Sequence, residues 1–191
     1  FQFYPLVQQF YMSFTATDLL TPDVNPFVDV ENYAFLIEDG ELWKVLSVTA
    51  IYTIACVIFA IGIGLGSALL LDSPFFRRGI ARALITIPWA APSVAVALVF
   101  TWIFNSQYGI FNRVLTGMGL PLGGENWLDN PSLALPAILL TTVWQIFPFS
   151  SVVILAALQG VPQELKEAAV IDGADRLNIF KTATWPTIQP T

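Results

Sequence analysis

The sequence predicts an all-α, polytopic membrane protein, and three observations carry that prediction. Of its 191 residues, 55% are hydrophobic and 12% are charged, half of the roughly 25% charged residues in an ordinary soluble domain. Three apolar stretches, at residues 45–71, 80–104 and 133–158, are long enough to cross a bilayer as helices. The basic residues cluster in alternate loops, as the positive-inside rule describes. A bundle of membrane-spanning helices accounts for all three.

Composition also excludes several classes of protein. The net charge is −6, and the sequence has no His and a single Cys. That inventory cannot supply an ordinary zinc, haem or iron–sulfur site, or a disulfide within the chain, so we predict no metal and no cofactor. No basic run carries interleaved aromatic residues, so we predict no nucleic-acid partner. Cys56 lies inside an apolar run and is most simply a small buried hydrophobe.

The first predicted element is a partial helix at residues 1–16, followed by an outer loop at residues 17–44. The adjacent Gln8 and Gln9 weaken the apolar character of this helix. Because the sequence lacks an initiator Met and has no evident boundary near Thr191, we expect an internal fragment of a longer chain. The outer loop carries seven acidic residues: Asp18, Asp23, Asp29, Glu31, Glu38, Asp39 and Glu41.

The three long stretches predict three spans with a defined orientation. Each is roughly 37–40 Å long as a helix, enough for a ~30 Å hydrocarbon core with some tilt. Six of the eight Lys and Arg residues then fall on one side of the membrane: Arg77, Arg78, Arg82, Lys166, Arg176 and Lys181. Lys44 and Arg113 fall on the other side. The positive-inside rule therefore places the segment after residue 158 in the cytoplasm.

Prolines and small residues interrupt the predicted spans. Pro88 and Pro92 lie in the second span, Pro136 and Pro148 in the third, and each removes a helical hydrogen bond and favours a kink. Two interpretations stay open: broken helices around a transport path, or the general tolerance of membrane helices for Pro. The "GIGLGS" run at residues 62–67 lacks the strand–turn–helix setting of a nucleotide fingerprint, so we assign it to close helix packing.

The cytoplasmic stretch at residues 161–186 begins with a predicted helix. Pro162 suits its first position, where the missing N–H has no partner. One face of this helix, at i, i+3, i+4 and i+7 spacing, carries Leu165, Ala168, Ala169 and Asp172. The middle of that face is therefore flat and allows another backbone to approach closely. Gly173 then ends the helix, because Gly adopts positive φ at low cost.

A second short helix, at roughly residues 174–182, follows the break. Asp175 lies near its start and Lys181 near its end, which matches the helix dipole. Trp185 then reads as an interfacial anchor before a returning span. The stretch thus forms a helix–turn–helix elbow on the membrane surface. Composition and capping also fit an ordinary surface helix, but an ordered stretch of this length between spans needs something to pack on.

"EAAVIDGA" at residues 167–174, followed by Pro186, resembles the EAA signature of permease subunits of ATP-binding-cassette (ABC) importers. Other segments resemble the family in the same order: "VENYAFLIEDGELWKVLSVTAIYT", "IPWAAPSVAVALVFTWIFNSQYGIFNRVL", "NWLDNPSLAL" and "WQIFPFSSVVILAALQGVPQELKEAAVIDGA". Together they are most similar to the carbohydrate-uptake branch, with its maltose-type and glycerol-phosphate-type permeases. Ala183, Thr184 and Trp185 depart from the family pattern, which favours an aliphatic residue and Leu before the Pro.

The resemblance implies an ABC type I importer permease fold in the inner membrane of a bacterial or archaeal cell. It implies that the elbow is a coupling helix docked on a dimer of ATPase subunits, beside a second permease subunit, an extracytoplasmic solute-binding protein and the lipid bilayer. The sequence has no GxxxxGK[ST] motif, so the chain would transmit ATP energy without being an enzyme. The residues that match the coupling motif are Glu167, Ala168, Ala169, Asp172, Gly173, Ala174 and Pro186.

The substrate is predicted to be a sugar or polyol. The spans carry no deep cation to hold a phosphate or carboxylate, whereas aromatic, amide and hydroxyl groups suit a neutral sugar. The candidate path residues are Trp144, Gln145, Phe149 and Ser150. Taken singly, each is as readily explained by helix packing.

Two rival classes fit parts of the sequence. A secondary transporter or channel with Pro-broken helices would normally keep an ionisable residue at membrane depth, and the predicted spans supply Thr, Ser, Gln and Trp instead. A non-transporting membrane scaffold predicts no solute-dependent phenotype. Co-purification with an ATPase that is stimulated by a solute-loaded binding protein separates all three classes.

Overall fold

Helices account for almost all of the regular structure, which confirms the all-α prediction. The computed structural model describes residues 3–17, 20, 25–121 and 123–189. Those residues contain no strand, only an isolated bridge between Thr15 and Phe27. The helices are α1 (Phe3–Met12), α2 (Glu31–Glu38), α3 (Glu41–Asp72), α4 (Arg78–Ala90), α5 (Ser93–Ile103), α6 (Ile110–Gly117), α7 (Ala134–Gln159), α8 (Gln163–Ile171), α9 (Arg176–Ile179) and α10 (Trp185–Ile188), with a π-helical turn at Phe180–Thr184.

The chain forms two compact units, Phe1–Ile51 and Tyr52–Thr191. In the first unit, Asn32 ties α2 to the loop after α1, because its Nδ2 donates to the carbonyls of Ser13 and Thr15 at 2.9 and 3.1 Å. The partial helix predicted at residues 1–16 is α1, which ends at Met12. The predicted outer loop contains α2 and the first turn of α3, and its acids Asp18 and Asp23 lie outside the described residues.

Two helices of the described chain, α3 and α7, meet the length and hydropathy of a membrane span. Helix α3 begins four residues before the predicted 45–71 stretch, because Glu41 and Lys44 continue the helix beyond the apolar run. Helix α7 matches the predicted 133–158 stretch to within one residue at each end. Pro136 lies in the first turn of α7, where an N–H has no intrahelical partner, and is therefore compatible with an unbroken start.

The predicted span at residues 80–104 consists of two helices, α4 and α5, bent by 93° across a short break. The break lies at Ala91 and Pro92. A residue before Pro is excluded from the helical region by contact with the Pro ring, and Ala91 accordingly has an extended ψ of 137°. The break corresponds to the broken-helix interpretation that the prolines left open, and the pair counts as a third span only if it crosses the membrane as one unit.

Small residues let α3 and α7 approach closely. Ala60, Gly64 and Ala68 recur every four residues along α3 and are all buried, the spacing of a close-packed membrane helix interface. Ser67 Oγ donates to Ser151 Oγ of α7 at 2.9 Å, and Ser151 is fully buried. The prediction that the "GIGLGS" run serves helix packing is confirmed at Gly64 and Ser67.

Replacing Gly64 with Leu is expected to loosen this interface. A Cβ at Gly64 would lie 2.7 Å from Ser150 Cβ and 3.1 Å from the Ser151 amide nitrogen, so the helices must separate at a cost of roughly 1–3 kcal/mol. Thermal unfolding of the full-length protein in detergent should show a lower Tm. Gly62→Leu is the matched control, because nothing lies within 4 Å of its Cβ position. An equal loss of Tm in both variants would contradict close packing at Gly64.

An aromatic cluster follows α5 and encloses a buried amide. Phe104 and Trp127 are buried, and the ring of Phe111 meets Trp127 edge-on at 5.0 Å. Asn112 lies at the centre, 3% exposed. Its Oδ1 accepts from Trp127 Nε1 at 3.0 Å and from the Gly124 amide at 3.2 Å, while its Nδ2 donates to the Glu125 carbonyl at 3.0 Å. One side chain thus fixes the fold of the loop over residues 104–127.

Candidate functional site

The elbow was predicted at residues 161–186, and in the structure it covers residues 161–188, with α8 as its first helix. Pro162 is the N-cap of this helix rather than its first residue, with φ −56° and ψ 131°. The extended ψ arises because the chain enters from a turn at residues 160–161, where the Val161 amide bonds to the Leu158 carbonyl at 3.3 Å. Glu164 lies in the first turn of α8, where the positive end of the helix dipole stabilises a carboxylate.

The turn after α8 is closed by two backbone hydrogen bonds. The Gly173 amide donates to the Val170 carbonyl at 3.0 Å, and the Ala174 amide donates to the Ala169 carbonyl at 2.9 Å. This pair of bonds, with Gly173 at φ +80°, is the Schellman motif that ends helices with a sharp reversal. The "EAAVIDGA" sequence therefore encodes the direction in which the chain leaves α8.

The second half of the elbow differs from the single helix predicted at residues 174–182. Asp175 caps α9, since its Oδ1 accepts from the Asn178 amide at 2.8 Å, so the helix begins two residues later than predicted. Helical structure then continues through the π-helical turn into α10, as far as Ile188. Pro186 explains the wider turn, because its ring excludes the carbonyl four residues earlier and it has no N–H to donate.

Buried residues at both ends join the elbow to the spans. Val161 and Ile188 share a hydrophobic cluster with Leu71 of α3 and Leu158 of α7. Three residues near Pro186 depart from the family pattern. Of these, Ala183 and Thr184 are buried, and Trp185 is partly exposed. These buried contacts pack the start and the end of the elbow against α3 and α7.

The outward side of the elbow is apolar and has no partner among the described residues. Its large exposed hydrophobic side chains include Ile171 at 85% and Leu177 at 68% exposure. Ala168 is exposed and Ala169 is half-buried, so the two Ala residues of the motif have different surroundings. Glu167 borders a shallow depression with Val170 and Ile171. The elbow therefore exposes apolar side chains beside the acidic Glu167.

A second candidate region is a groove between α5 and α7, which we call the polar groove. It has a volume of about 340 Å³. Phe100 and Phe104 supply ring surface to its wall. Its polar lining residues are Ser93, Thr101, Thr141, Thr142 and Gln145. Hydroxyl and amide groups beside aromatic rings suit a neutral, hydroxyl-rich ligand.

Gln145 links the polar groove to the break between α4 and α5. Its Nε2 donates to the Ala91 carbonyl and to Ser93 Oγ, both at 3.3 Å. The Ala91 carbonyl belongs to the extended backbone at the break. An amide on α7 thus bonds to backbone that Pro92 has excluded from the helix.

The four predicted path residues do not share one cavity. Gln145 lines the polar groove. Trp144 lines an apolar cavity with Phe147, whereas Phe149 and Ser150 line a third cavity. These positions surround α7, because residues 144, 145, 149 and 150 are spread around a 3.6-residue turn.

Sequence reasoning missed the hydroxyl-bearing residues of the polar groove. Ser93 and Thr101 lie eight residues apart on one face of the otherwise apolar α5. Thr141 and Thr142 stand one turn before Gln145 on α7. Polar residues that recur at helical spacing on two otherwise apolar helices were the sequence signal that could have predicted the groove.

The fold and the elbow define a class: a polytopic α-helical membrane protein whose elbow carries the EAA signature. The chain matches the family described as "Binding-protein-dependent transport system inner membrane component" over residues 59–191. The chain belongs to that family of membrane transport permeases, and the resemblance predicted from its motifs is confirmed.

Named relatives are sugar permeases. The chain is 36% identical over 97% of its length to the trehalose/maltose transport system permease protein of Thermococcus litoralis, and covers 62% of that protein. It is also 36% identical over 98% of its length to the sulfoquinovosyl glycerol transport system permease protein of Agrobacterium fabrum, and covers 60% of it. The chain therefore spans 60–62% of the length of these curated relatives.

A solved structure has the same fold. The crystal structure of a bacterial ABC transporter involved in the import of the acidic polysaccharide alginate matches with a TM-score of 0.81. The match covers 98% of this chain and 63% of that chain at 22% sequence identity. The predicted ABC importer permease fold is thereby confirmed.

Proposed function

We propose that this chain is part of a permease subunit of an ATP-driven, binding-protein-dependent sugar importer. The observation that carries the proposal is the elbow, an EAA-signature turn with an exposed apolar side and buried connections to two spans. Family membership and the two sugar-permease relatives support it. The partners are a dimer of ATPase subunits, a second permease subunit and an extracytoplasmic solute-binding protein. A solved bacterial alginate ABC transporter of the same fold is in complex with a periplasmic protein, and that periplasmic protein is bound to an alginate pentasaccharide.

The elbow couples ATP binding to movement of the spans. Its exposed side, from Glu167 to Gly173, docks in a cleft of the ATPase subunit on the cytoplasmic side. When ATP draws the ATPase subunits together, the docked elbow moves with them. The Schellman turn holds α8 and α9 in one arrangement, so the displacement reaches Val161 and Ile188 and then the ends of α3 and α7. The permease thereby alternates between inward- and outward-open states.

The substrate is a sugar or polyol, and the polar groove contributes to its path. Gln145 donates hydrogen bonds at the helix break, and the hydroxyls of Ser93 and Thr142 stand within the same groove. Phe100 presents a ring on which a sugar face can stack. Trp144, Phe149 and Ser150 line neighbouring cavities and contribute if the spans rearrange during transport.

Reconstitution of the full-length permease tests the proposed function. The permease, its co-purified ATPase and a binding protein are placed in lipid vesicles, and ATP hydrolysis is measured with and without a panel of sugars, amino acids and peptides. We expect a sugar-loaded binding protein to stimulate hydrolysis and ATP to drive uptake. Uptake without an ATPase would instead indicate a secondary transporter, and selective uptake of an amino acid or peptide would refute the sugar assignment.

Replacing Gln145 with Leu is expected to weaken substrate binding in the groove. Loss of one hydrogen bond to the solute corresponds to about 1.4 kcal/mol, so the KM for uptake should rise about tenfold. Gln107→Leu is the matched control, because Gln107 is an exposed amide outside the groove. An unchanged KM in Gln145→Leu would remove this residue from the path without affecting the coupling proposal.

A further inference from the structure

Arg82 is a cation with incomplete partners at the edge of the membrane-spanning region. It lines a cavity of about 240 Å³ between the end of α3, α4 and α7. Its Nη2 donates to the Leu71 carbonyl at 3.3 Å, and its Nε is buried without a hydrogen-bond partner. A guanidinium carries five N–H donors, and one hydrogen bond from Nη2 leaves the other Nη donors free for an anion.

The surroundings of Arg82 are strongly positive. Arg78 lies one turn earlier on the same face of α4, and Arg77 is the N-cap. The first turn of α4 contains no acidic residue, although the positive end of a helix dipole favours anions there. Among the residues that the structure describes, no carboxylate forms an ion pair with these arginines. This includes the carboxylate of Asp72, next to Leu71 in the sequence. The site therefore lacks an anion to balance three cations.

The shape of the cavity indicates an amphiphile. Its polar lining residues are Arg82, Thr86, Ser151 and Gln159, and its apolar lining residues include Val152 and Leu155. Inorganic phosphate would pair with the polar lining and leave the apolar lining uncovered. A phospholipid satisfies both, because its phosphate pairs with the guanidinium while an acyl chain covers the walls.

The loop before α4 also fits a lipid surface. Phe75 and Phe76 are 45% and 84% exposed. The guanidinium of Arg77 lies over the Phe76 ring, 4.9 Å from its centroid. Exposed aromatic residues beside basic ones are typical of the membrane–water interface, and basic clusters at that depth attract anionic lipids.

We propose that Arg82, together with Arg78 and Thr86, forms a binding site for the headgroup phosphate of an anionic phospholipid. The lipid phosphate balances the positive charge at the start of α4 and accepts hydrogen bonds from the free Nη donors of Arg82. This site is distinct from the polar groove and the elbow, so it does not depend on the solute or on ATPase coupling.

Native mass spectrometry of the full-length permease in its complex tests the site. The purified complex is delipidated and mixed with phosphatidylglycerol and phosphatidylcholine in equal amounts. We expect wild type to retain phosphatidylglycerol preferentially. Arg82→Gln should lower the ratio of bound phosphatidylglycerol to phosphatidylcholine about fivefold, the effect of one interfacial arginine. Arg82→Lys should keep most of the preference, and Arg113→Gln, remote in sequence and exposed, should leave it unchanged.

Three outcomes would overturn the proposal. The first is an unchanged lipid ratio in Arg82→Gln. The second is displacement of the bound lipid by millimolar inorganic phosphate, which would identify a free-anion site. The third is a lower Tm of Arg82→Gln in both lipids with no change in lipid selectivity. That result would show that Arg82 only stabilises the end of α3 through its hydrogen bond to the Leu71 carbonyl. If Arg82→Gln does not assemble, the exposed Arg78→Gln replaces it, and an unchanged ratio in that variant counts equally against the site.

Discussion

Replacing Gly173 with Val is expected to abolish solute uptake while the protein still inserts in the membrane. Gly173 has φ +80°, which a β-branched residue adopts only at a cost of about 1–2 kcal/mol or more. No atom lies within 4 Å of its Cβ position, so a steric clash does not contribute. The variant therefore opens the Schellman turn and changes the direction of α9 relative to α8. We expect the uptake rate to fall at least tenfold, a loss of about 1.4 kcal/mol in coupling.

Two matched variants separate coupling from general strain. Gly173→Asn should retain most of the uptake, because Asn tolerates the left-handed conformation. Gly40→Val introduces the same strain at φ +72° in the turn between α2 and α3, also with open space around the Cβ position. It should leave uptake largely intact. Equal losses in Gly173→Val and Gly40→Val, or normal uptake by Gly173→Val, would count against a coupling role.

Replacing Asn112 with Ala is expected to destabilise the aromatic cluster strongly. The change leaves the buried Trp127 indole N–H and the Gly124 amide without an acceptor, and the Glu125 carbonyl without its donor. Unsatisfied buried groups cost about 1–3 kcal/mol each, so the loop over residues 104–127 should lose on the order of 3 kcal/mol. Limited trypsin digestion of the full-length protein in detergent should then cut after Arg113 faster than in wild type, where we expect α6 to protect this bond.

The size of the Asn112 effect can be calibrated within the same cluster. Trp127→Phe removes one hydrogen bond and retains an aromatic ring, so it should cost only about 1 kcal/mol. Gln107→Ala, an exposed position in the same loop, should behave like wild type. Resistance to trypsin in Asn112→Ala equal to that of Gln107→Ala would show that the amide does not hold the loop. Because Phe104 also lines the polar groove, an opened loop should reduce uptake as well.

The long apolar helices were predictable from sequence because a single property, hydropathy, determines them. Helix α7 matched its predicted bounds within a residue, and α3 extended by four residues where charged side chains remain compatible with helix. The 93° bend at Ala91–Pro92 was not predictable from composition, because Pro within a membrane helix produces anything from a mild kink to a break. Its extent depends on tertiary partners such as Gln145, which bonds to the Ala91 carbonyl.

The elbow was predictable in its order but not in its details. The EAA signature predicted a helix, a Gly break and a second helix, and the structure has all three. The pairing of the Ala169 carbonyl with the Ala174 amide depends on the left-handed Gly173, but the sequence alone did not show which carbonyls the turn would pair. The π-helical turn before Pro186 was also not predicted. Pro186 has no N–H to donate, and the wider turn accommodates it while Ile188 stays buried.

The candidate path was predicted only in part. Aromatic and amide residues on α7 were selected by type, and Gln145 alone lies in the polar groove. Ser93 and Thr101 on α5 belong to the groove because the break reorients that helix, a tertiary effect. Asn112 was also missed, because a single Asn in an amphipathic helix has no sequence signature that distinguishes a buried bonding centre from a surface residue.

Site-specific photo-cross-linking at position 168 tests the coupling claim most directly. A photoreactive residue replaces the exposed Ala168 of α8 in the full-length permease, expressed with its ATPase and illuminated in intact membranes. We expect an adduct with the ATPase subunit, with a higher yield when ATP is bound. We expect no adduct when the probe is placed at the exposed Gln107. Adducts with lipid alone, or labelling of position 168 by a membrane-impermeant reagent applied outside intact cells, would contradict the coupling claim.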